Sequence, residues 1–362
     1  MSAATKYNKR STGRSTLADV ARLAEVTTMT ISRYLREPHR VSPPTADKIR
    51  EALAATGYTP NKQAGGLASG RSPVIAAVIP NIGNTIFAET VQGLCDVFQA
   101  VGYELLLSAS NYSTAREEEL VRAMLGWMPA GLVVTGRRHS AATLQMMRSA
   151  RDAGTPVIEM WDKDPKPAEF VQIGFNHEAV GALMADHLVE QGYRELLYVD
   201  SGVPEDFRAH ERGLGFVKRA KRLGCSVSTE VAPRCEPMLA GRQAMAALMT
   251  RGLPRAAAFA NDHLAVGAYL HAQAQSLVMP GDFAILGFGD FPIAAQLGAG
   301  ISSVATDRYN IGQATAFRLL HDLGPEAKPV PAHLEGVSGA SSYLELSEMR
   351  KLNPRVVQRS TS

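Results

Sequence analysis

Between Thr27 and Arg33 the chain sets three threonines, a serine, a methionine and an arginine around a single isoleucine. A threonine hydroxyl can hydrogen-bond a base edge, a methionine can pack on a thymine methyl, and an arginine can take a guanine or a phosphate. Thr28 and Met29 would stand exposed at the start of a helix, with Arg33 one turn on. Thr16, Thr30 and Ser32 suit phosphate oxygens, contacts that position a protein on a duplex without specifying its sequence. A second group of residues follows apolar runs farther down the chain. Asn81 offers hydroxyls both a donor and an acceptor, and Phe87 offers a ring that can cover a sugar face. Glu159 and Trp161, in PVIEMWD, fall on one face of a strand by alternation. Phe87 and Trp161 suit an ordinary core equally well.

The first group needs a helix-turn-helix to present it. Leu17, Val20, Ala21 and Ala24 recur at helical spacing, and a tight turn falls at Glu25-Val26. Thr27 then caps a second helix with Ile31, Tyr34 and Leu35 inward. Ser42 caps a third helix that starts on Pro43, turns Ile49 and Leu53 to the core and stops at Gly57. Such a unit lays its second helix in the major groove. The charge distribution agrees. Residues 1–72 carry 12 Lys/Arg against 5 Asp/Glu, a net +7, while the remaining 290 carry 26 against 30, a net −4. A basic head on a slightly acidic body fits a polyanion partner at one end. A solvated basic tail and a plain helical bundle are the bland alternatives.

Residues 59–72 turn rich in glycine, serine, alanine and basic side chains, as at a domain boundary. Beyond them VIAAVIP reads as a buried strand, NIGNTIFAETVQGLCDVFQAVGY as a loop and helix, and ELLLSAS as the next strand. A similar unit begins at Arg194, and GLVVTG, PVIEMW, AAAFAND and FAILGFGD supply further strands. This alternation argues for parallel sheets with helices on both faces, arranged as two similar lobes. Ligands of open parallel sheets bind beyond the carboxyl ends of the strands, which is where the second group lies.

Several classes are excluded. With 45% hydrophobic and 20% charged residues, the composition is that of an ordinary globular chain. No apolar run approaches the roughly 18 residues of a membrane span. Met1 to Arg14 is polar and basic, unlike a secretory leader. Cys95, Cys225 and Cys235 form no CxxC pair, which fits a reducing cytosol and argues against zinc. GFGDFP lacks the third glycine of a dinucleotide fingerprint, and there is no Walker loop or nucleophile elbow. His177 and His187 lack metal-ligand spacing. Neither catalysis nor a cofactor is expected.

The stretch TLADVARLAEVTTMTISRYLREPHRVSPPTADKIREALAATGYTPN resembles the lac-repressor/galactose-repressor family of transcriptional regulators, through TLADVA, the TISR of the second helix, VSPPT and GYTPN. Glu25 departs from the glycine usual in that turn, and glutamate is less comfortable than glycine at positive φ. FAETVQGL, HLVEQGYREL, ERGLGF, ANDHLAVGA and LGFGDFPIA extend the resemblance over roughly residues 15–345. MTISRYLREP, IPNIGNTIFAE and LGWMPAGLVVTGR bring it nearest to gluconate-utilisation repressors. The implied fold is an N-terminal all-α helix-turn-helix head plus an α/β two-lobed core like the periplasmic sugar-binding proteins. The expected boundaries are a basic disordered tail over 1–14, the head over 15–60, a hinge over 61–72, a core over 73–346 and a tail over 347–362. Lobe 1 is expected at about 73–173 and 307–334, and lobe 2 at about 174–306 and 335–346.

The resemblance also implies residue roles. DNA contact extends to Leu17 and Asn61. Ala64 and Leu67 match a hinge helix that orders on DNA and wedges its leucine into the minor groove. In the core, Arg137 matches a ligand contact, Arg212 the ligand-gripping arginine, and Asn261 a hydroxyl-reading asparagine. Arg137 suits a solvated surface as well. Gly289 stands where relatives that bind neutral ligands usually have aspartate. Losing that carboxylate would let Arg137 and Arg212 grip an acid together, unless Asp290 swings into its place. The expected protein is a cytoplasmic, nucleoid-associated repressor. It binds an inverted-repeat operator in double-stranded DNA as a homodimer, without contact with membranes. A sugar acid, gluconate or 6-phosphogluconate, releases it. The alternatives are a ketogluconate or phosphorylated sugar as effector, a sugar-binding module, or a sugar-acid enzyme. SEMRKLNPRVVQRSTS has no leucine heptad, so the tetramer-forming tail of some relatives is missing.

Overall fold

The computed structural model describes residues 15–59, 72–83, 85–298, 300–324 and 354–362. Asn61, Ala64 and Leu67, and the expected tail over 1–14, lie outside the described residues. The chain divides into two compact units, 1–70 and 71–362.

The first unit is three helices, α1 (Leu17–Leu23), α2 (Thr28–Arg36) and α3 (Pro43–Thr56), with a 3-10 turn at Pro38–Arg40. Thr16 and Asp19 close a capping box on α1: Thr16 Oγ1 accepts from Asp19 N (3.3 Å), and Asp19 Oδ2 accepts from Thr16 N (2.9 Å). Thr27 caps α2 by accepting from Thr30 N at 3.2 Å. Ser42 precedes α3 as expected, but its hydroxyl meets that of Thr45 (2.8 Å) and caps no backbone N–H. Gly57 ends α3 at φ 59. Val20, Ala21, Ala24, Ile31, Ile49 and Ala52 form the buried core, with Leu17, Tyr34, Leu35 and Leu53 packed around it. Glu25 does take the left-handed conformation (φ 55), at roughly 1–2 kcal/mol relative to a right-handed residue.

The second unit contains two sheets. β1 (Ser72–Ile79), β2 (Glu104–Ala109), β3 (Pro129–Thr135), β4 (Val157–Asp162) and β5 (Val171–Phe175) form a parallel sheet in the order β2-β1-β3-β4-β5. Helices α4 (Thr85–Ala100), α5 (Thr114–Leu125) and α6 (Ala141–Asp152) connect its strands. The second lobe runs through α7 (His177–Glu190), β6 (Glu195–Asp200), α8 (Phe207–Arg222), β7 (Ser226–Val231), α9 (Pro237–Arg251), β8 (Ala256–Phe259), α10 (Asp262–Ala274), β9 (Ala284–Gly289), α11 (Pro292–Gln296) and β10 (Ser302–Ala305). α12 (Arg308–Leu323) then returns to the first lobe, where Thr90 Oγ1 donates to Arg308 O at 2.9 Å.

The chain end differs from the sequence reading. Residues 354–362, expected as a tail, belong to the second sheet. β11 (Arg355–Val357) pairs antiparallel with β10, Val304 opposite Val356, giving the order β11-β10-β9-β8-β6-β7. Ile285 N donates to Thr361 O (2.7 Å), and Ser302 N to Thr361 Oγ1 (2.8 Å). The ladder with β11 and the Ser302 bond cover the edge of β10 that would otherwise be open, and the Ile285 bond ties the same segment to β9. Among the described residues no helix is long and apolar enough to cross a membrane.

Candidate functional site

Two places in the molecule collect the residues singled out above. The first is the outer face of α2. With Ile31 buried and Tyr34 and Leu35 packed inward, the helix turns Thr28, Met29 and Arg33 to solvent, and Met29 is 68% exposed. A methionine that exposed has no packing role in its own domain. Thr30 and Ser32 are half-buried, and the Thr30 hydroxyl lies 2.9 Å from that of Thr27. Thr16 is committed to its cap, while Leu17 is half-buried against the core rather than displayed. Arg22, Arg40, Lys48 and Arg50 each sit beside a carboxylate, whereas Arg33 has no ion pair among the described residues.

The second place lies beyond the carboxyl ends of both sheets. A cavity of about 30 Å³ is lined by Ile86, Phe87, Tyr112, Trp161, His177, Asp206, Arg208, Arg212, Asn261 and Phe288. Two larger grooves, about 460 and 400 Å³, are open and gather no buried charges. The small cavity brings together Phe87, Trp161, Arg212 and Asn261 from the sequence reading. Its walls are packed aromatic edges, with Phe87 to Trp161 at 5.3 Å and Trp161 to Phe175 at 5.8 Å between centroids. Trp161 Nε1 donates to Thr90 Oγ1 at 3.2 Å. Arg212 lies flat on Phe288, its guanidinium carbon 3.9 Å from the ring centre. α7 crosses α8 closely enough that a Cβ at Gly181 would overlap the Arg212 carbonyl, so this crossing fixes where Arg212 starts.

A buried polar chain runs along the floor. Arg208 Nε donates to Asp162 Oδ1 (3.1 Å), and His177 Nε2 lies 3.0 Å from the same oxygen. His177 Nδ1 is 2.9 Å from Arg212 Nη1, and Arg212 Nη2 donates to Ala260 O at 2.7 Å. Burial lowers the His177 pKa, against the pull of Asp162. The ring is therefore neutral, with Nδ1 accepting from Arg212 and the proton on Nε2, which is near Asp162 but not aligned for a hydrogen bond. Burial alone would raise Asp162, but Arg208 and His177 hold it well below the usual carboxylate range. Among these deeply buried groups, two arginines face one carboxylate. Arg212 Nε has no hydrogen-bond partner. Asp206, half-buried at the rim, spends Oδ1 on the Ala209 N–H (3.3 Å). Asn261 Oδ1 caps α10 through Leu264 N (3.0 Å), which leaves its amide NH₂ to donate.

The other expected residues lie elsewhere. Asn81 accepts from Gly83 N (2.7 Å) in its own turn and does not line the cavity. Arg137 is not paired with Arg212 across a ligand space. Its Nη2 meets both oxygens of Glu211 (3.0 and 3.1 Å), and its Nε meets Asp164 (3.4 Å). Arg138 joins it on Glu211 at 2.5 Å, so one carboxylate of α8 holds two arginines of the loop after β3. Glu159 does not share a face with Trp161. Trp161 has φ 75, which breaks the alternation. It turns inward beside Phe87, while Glu159 faces away to Gln172 Nε2 (2.6 Å) and His139 (3.4 Å). Gly289 has φ 122, and a Cβ there would stand 2.5 Å from the Phe291 ring. An aspartate at 289 would strain the backbone before its charge mattered. Asp290 does not swing into the cavity; its carboxylate pairs with Arg359 at 2.8 Å.

Sequence reasoning missed Arg208, Asp162 and His177. The available signal was spacing: Arg208 lies one helical turn before Arg212 and therefore on the same face.

Comparison with known proteins agrees with this architecture. Residues 16–61 match the bacterial regulatory proteins of the lacI family, and residues 185–342 match the periplasmic binding protein-like domain. The chain is 34% identical over 316 residues to the HTH-type transcriptional regulator GntR of Pseudomonas aeruginosa, covering 86% of this chain and 90% of that one. It is 32% identical over 308 residues to the regulator of the same name from Escherichia coli, covering 85% and 91%. A LacI-family transcriptional regulator from Silicibacter pomeroyi superposes with a TM-score of 0.81 at 28% identity, covering 96% of this chain and 98% of that one.

Proposed function

The chain belongs to the lacI family of bacterial regulatory proteins, a ligand-responsive transcriptional regulator, and from that premise we propose that it is a repressor released from an inverted-repeat operator by a sugar acid of the gluconate type. The acid's carboxylate is assigned to Arg212 and Arg208, its hydroxyls to Asn261, and the cover of its carbon chain to Phe87 and Trp161. The observation that carries the reading is the buried pair of arginines against a single buried carboxylate, with Arg212 Nε unpartnered. A buried charge without a partner is expensive, and an incoming carboxylate supplies one with bidentate geometry. The regulators named GntR among its relatives support gluconate as the compound to try first.

A cavity of about 30 Å³ holds roughly one water. The acid enters only when the lobes part or the arginines swing, so binding is coupled to a change in the core. The same coupling weakens DNA binding by the factor by which DNA weakens ligand binding. DNA is read by the exposed face of α2 in a homodimer, each head taking one half-site. Calorimetry against gluconate, 6-phosphogluconate, ketogluconate and glucose tests the assignment. Gluconate or its phosphate binds and glucose does not. Arg212→Ala and Arg208→Ala each weaken the acid by about tenfold or more. Equal affinity for glucose and gluconate would sink the reading.

A further inference from the structure

We infer that Arg359, in the C-terminal segment, is a specificity-determining residue: it neutralises Asp290, two residues beyond the cavity-lining Phe288, and so keeps the effector cavity selective for acids. The inference rests on the anion reading of Arg208 and Arg212. Asp290 sits in the left-handed region (φ 51) directly after Gly289, two residues beyond the Phe288 ring on which Arg212 lies. Its backbone is fixed on every side. Asp290 N donates to Ser303 Oγ (3.0 Å), Arg308 Nη2 approaches its carbonyl (3.5 Å), and the following Phe291 N donates to the buried Asp262 (2.6 Å). The backbone therefore holds Asp290 in place two residues beyond Phe288, which lines the cavity. The side-chain rotamer and its counter-ion then decide what Asp290 adds to the field set by Arg208, Arg212, Asp162 and Asp206.

Arg359 supplies that counter-ion from outside the cavity. Its Nη2 lies 2.8 Å from Asp290 Oδ1, and Nη1 donates to Ile301 O at 2.9 Å. Its own N–H donates to Ser302 Oγ (2.8 Å). Its stem crosses Gly300, where a Cβ would stand 2.5 Å from Arg359 Cδ. Both ends of the pair are mostly shielded, with side chains 19% and 25% exposed, so water screens it only in part. The other charges near Asp290 are Arg308, already paired with Glu89 at 2.6 Å, and the carboxyl of Asp262. Without Arg359, Asp290 becomes an uncompensated negative charge two residues from a side chain that lines the proposed anion site. Like charge at that range opposes binding.

The test is a calorimetric comparison of the full chain with Arg359→Gln, Arg359→Lys, Asp290→Asn and the Arg359→Gln/Asp290→Asn double variant, using gluconate and inorganic sulfate as probes. Arg359→Gln is expected to weaken gluconate by roughly tenfold. Arg359→Lys keeps most of the affinity, and the double variant recovers it. A strand-anchoring role alone would not be rescued by Asp290→Asn. Asp290→Asn by itself does not weaken gluconate. The inference is overturned if wild type binds gluconate and Arg359→Gln binds it equally, if the double variant fails to recover, or if Asp290→Asn loses affinity. If wild type binds neither gluconate nor sulfate, the anion reading itself has failed and this inference falls with it.

Discussion

His139 offers a prediction whose size follows from its surroundings. Its side chain is wholly buried, with Nδ1 2.7 Å from Glu117 Oε1, and Nε2 3.1 Å from Gly136 O and 3.4 Å from Glu159 Oε1. Burial pulls its pKa down, but the two carboxylates outweigh this and raise it to about 9. The native state therefore holds the imidazole proton more tightly than the unfolded chain, whose histidine titrates near 6.5. The stabilisation is fully present below the unfolded value and is lost as pH rises through about 9. A difference of two to three pKa units corresponds to about 3 kcal/mol at pH 5 and to less than about 0.5 kcal/mol by pH 10. Urea unfolding of wild type and His139→Gln at pH 6, 7, 8, 9 and 10 reads it directly, because alkaline losses shared by both proteins cancel in the difference. The gap between the two should close with rising pH and be mostly gone at pH 10. A gap independent of pH would mean that His139 is neutral in the fold and that this account of the triad is wrong. His139 bridges α5, β4 and the loop carrying Arg137 and Arg138, so a neutral ring would also loosen the grip of that loop on Glu211.

Three further outcomes follow from named contacts. Arg33→Ala weakens operator binding by about tenfold, with effector affinity unchanged, and lowers the salt slope by about one; an unchanged slope in anisotropy titrations argues against phosphate contact. Gly136 has φ 99, and a Cβ there would overlap Arg208 Nη2 and sit 3.2 Å from Asp162. Gly136→Ala therefore displaces Arg208 and weakens gluconate in calorimetry by about tenfold or more, whereas unchanged affinity removes Arg208 from the site. Glu211→Gln removes the carboxylate that joins Arg137 and Arg138 to the second lobe, so X-ray scattering should show a larger radius of gyration for the ligand-free variant; identical curves would mean that the pairs do not hold the lobes.

The sequence made the large periodic features plain, because they rest on local rules. Leu17, Val20, Ala21 and Ala24 pack as their spacing requires, and Phe87, Trp161 and Asn261, at or just beyond strand ends in the sequence, do converge, Phe87 from the first turn of α4. What escaped depends on contacts between distant segments or on one exceptional dihedral. Arg137 looked available for a ligand because Glu211 lies 74 residues away and nothing local announces the pair. Glu159 and Trp161 obeyed alternation until φ 75 at Trp161 reversed it. RVV at 355–357 is too short and too polar in its flanks to read as a strand, and it acquires meaning only beside β10. The pairing of Asp290 was equally hidden, since it depends on an arginine 69 positions later.

Release of the proposed repressor turns on one coupling, between a cavity lined by two buried arginines and the exposed face of α2. Its most direct measurement is a fluorescence-anisotropy titration of the full chain on a duplex it has selected from a random pool, run with and without gluconate. The account predicts that the selected duplex carries an inverted repeat, and that saturating gluconate weakens its binding by tenfold or more, on the order of 1.4 kcal/mol of coupling, while glucose leaves it unchanged. A duplex bound equally well with gluconate, with glucose and with neither would contradict it.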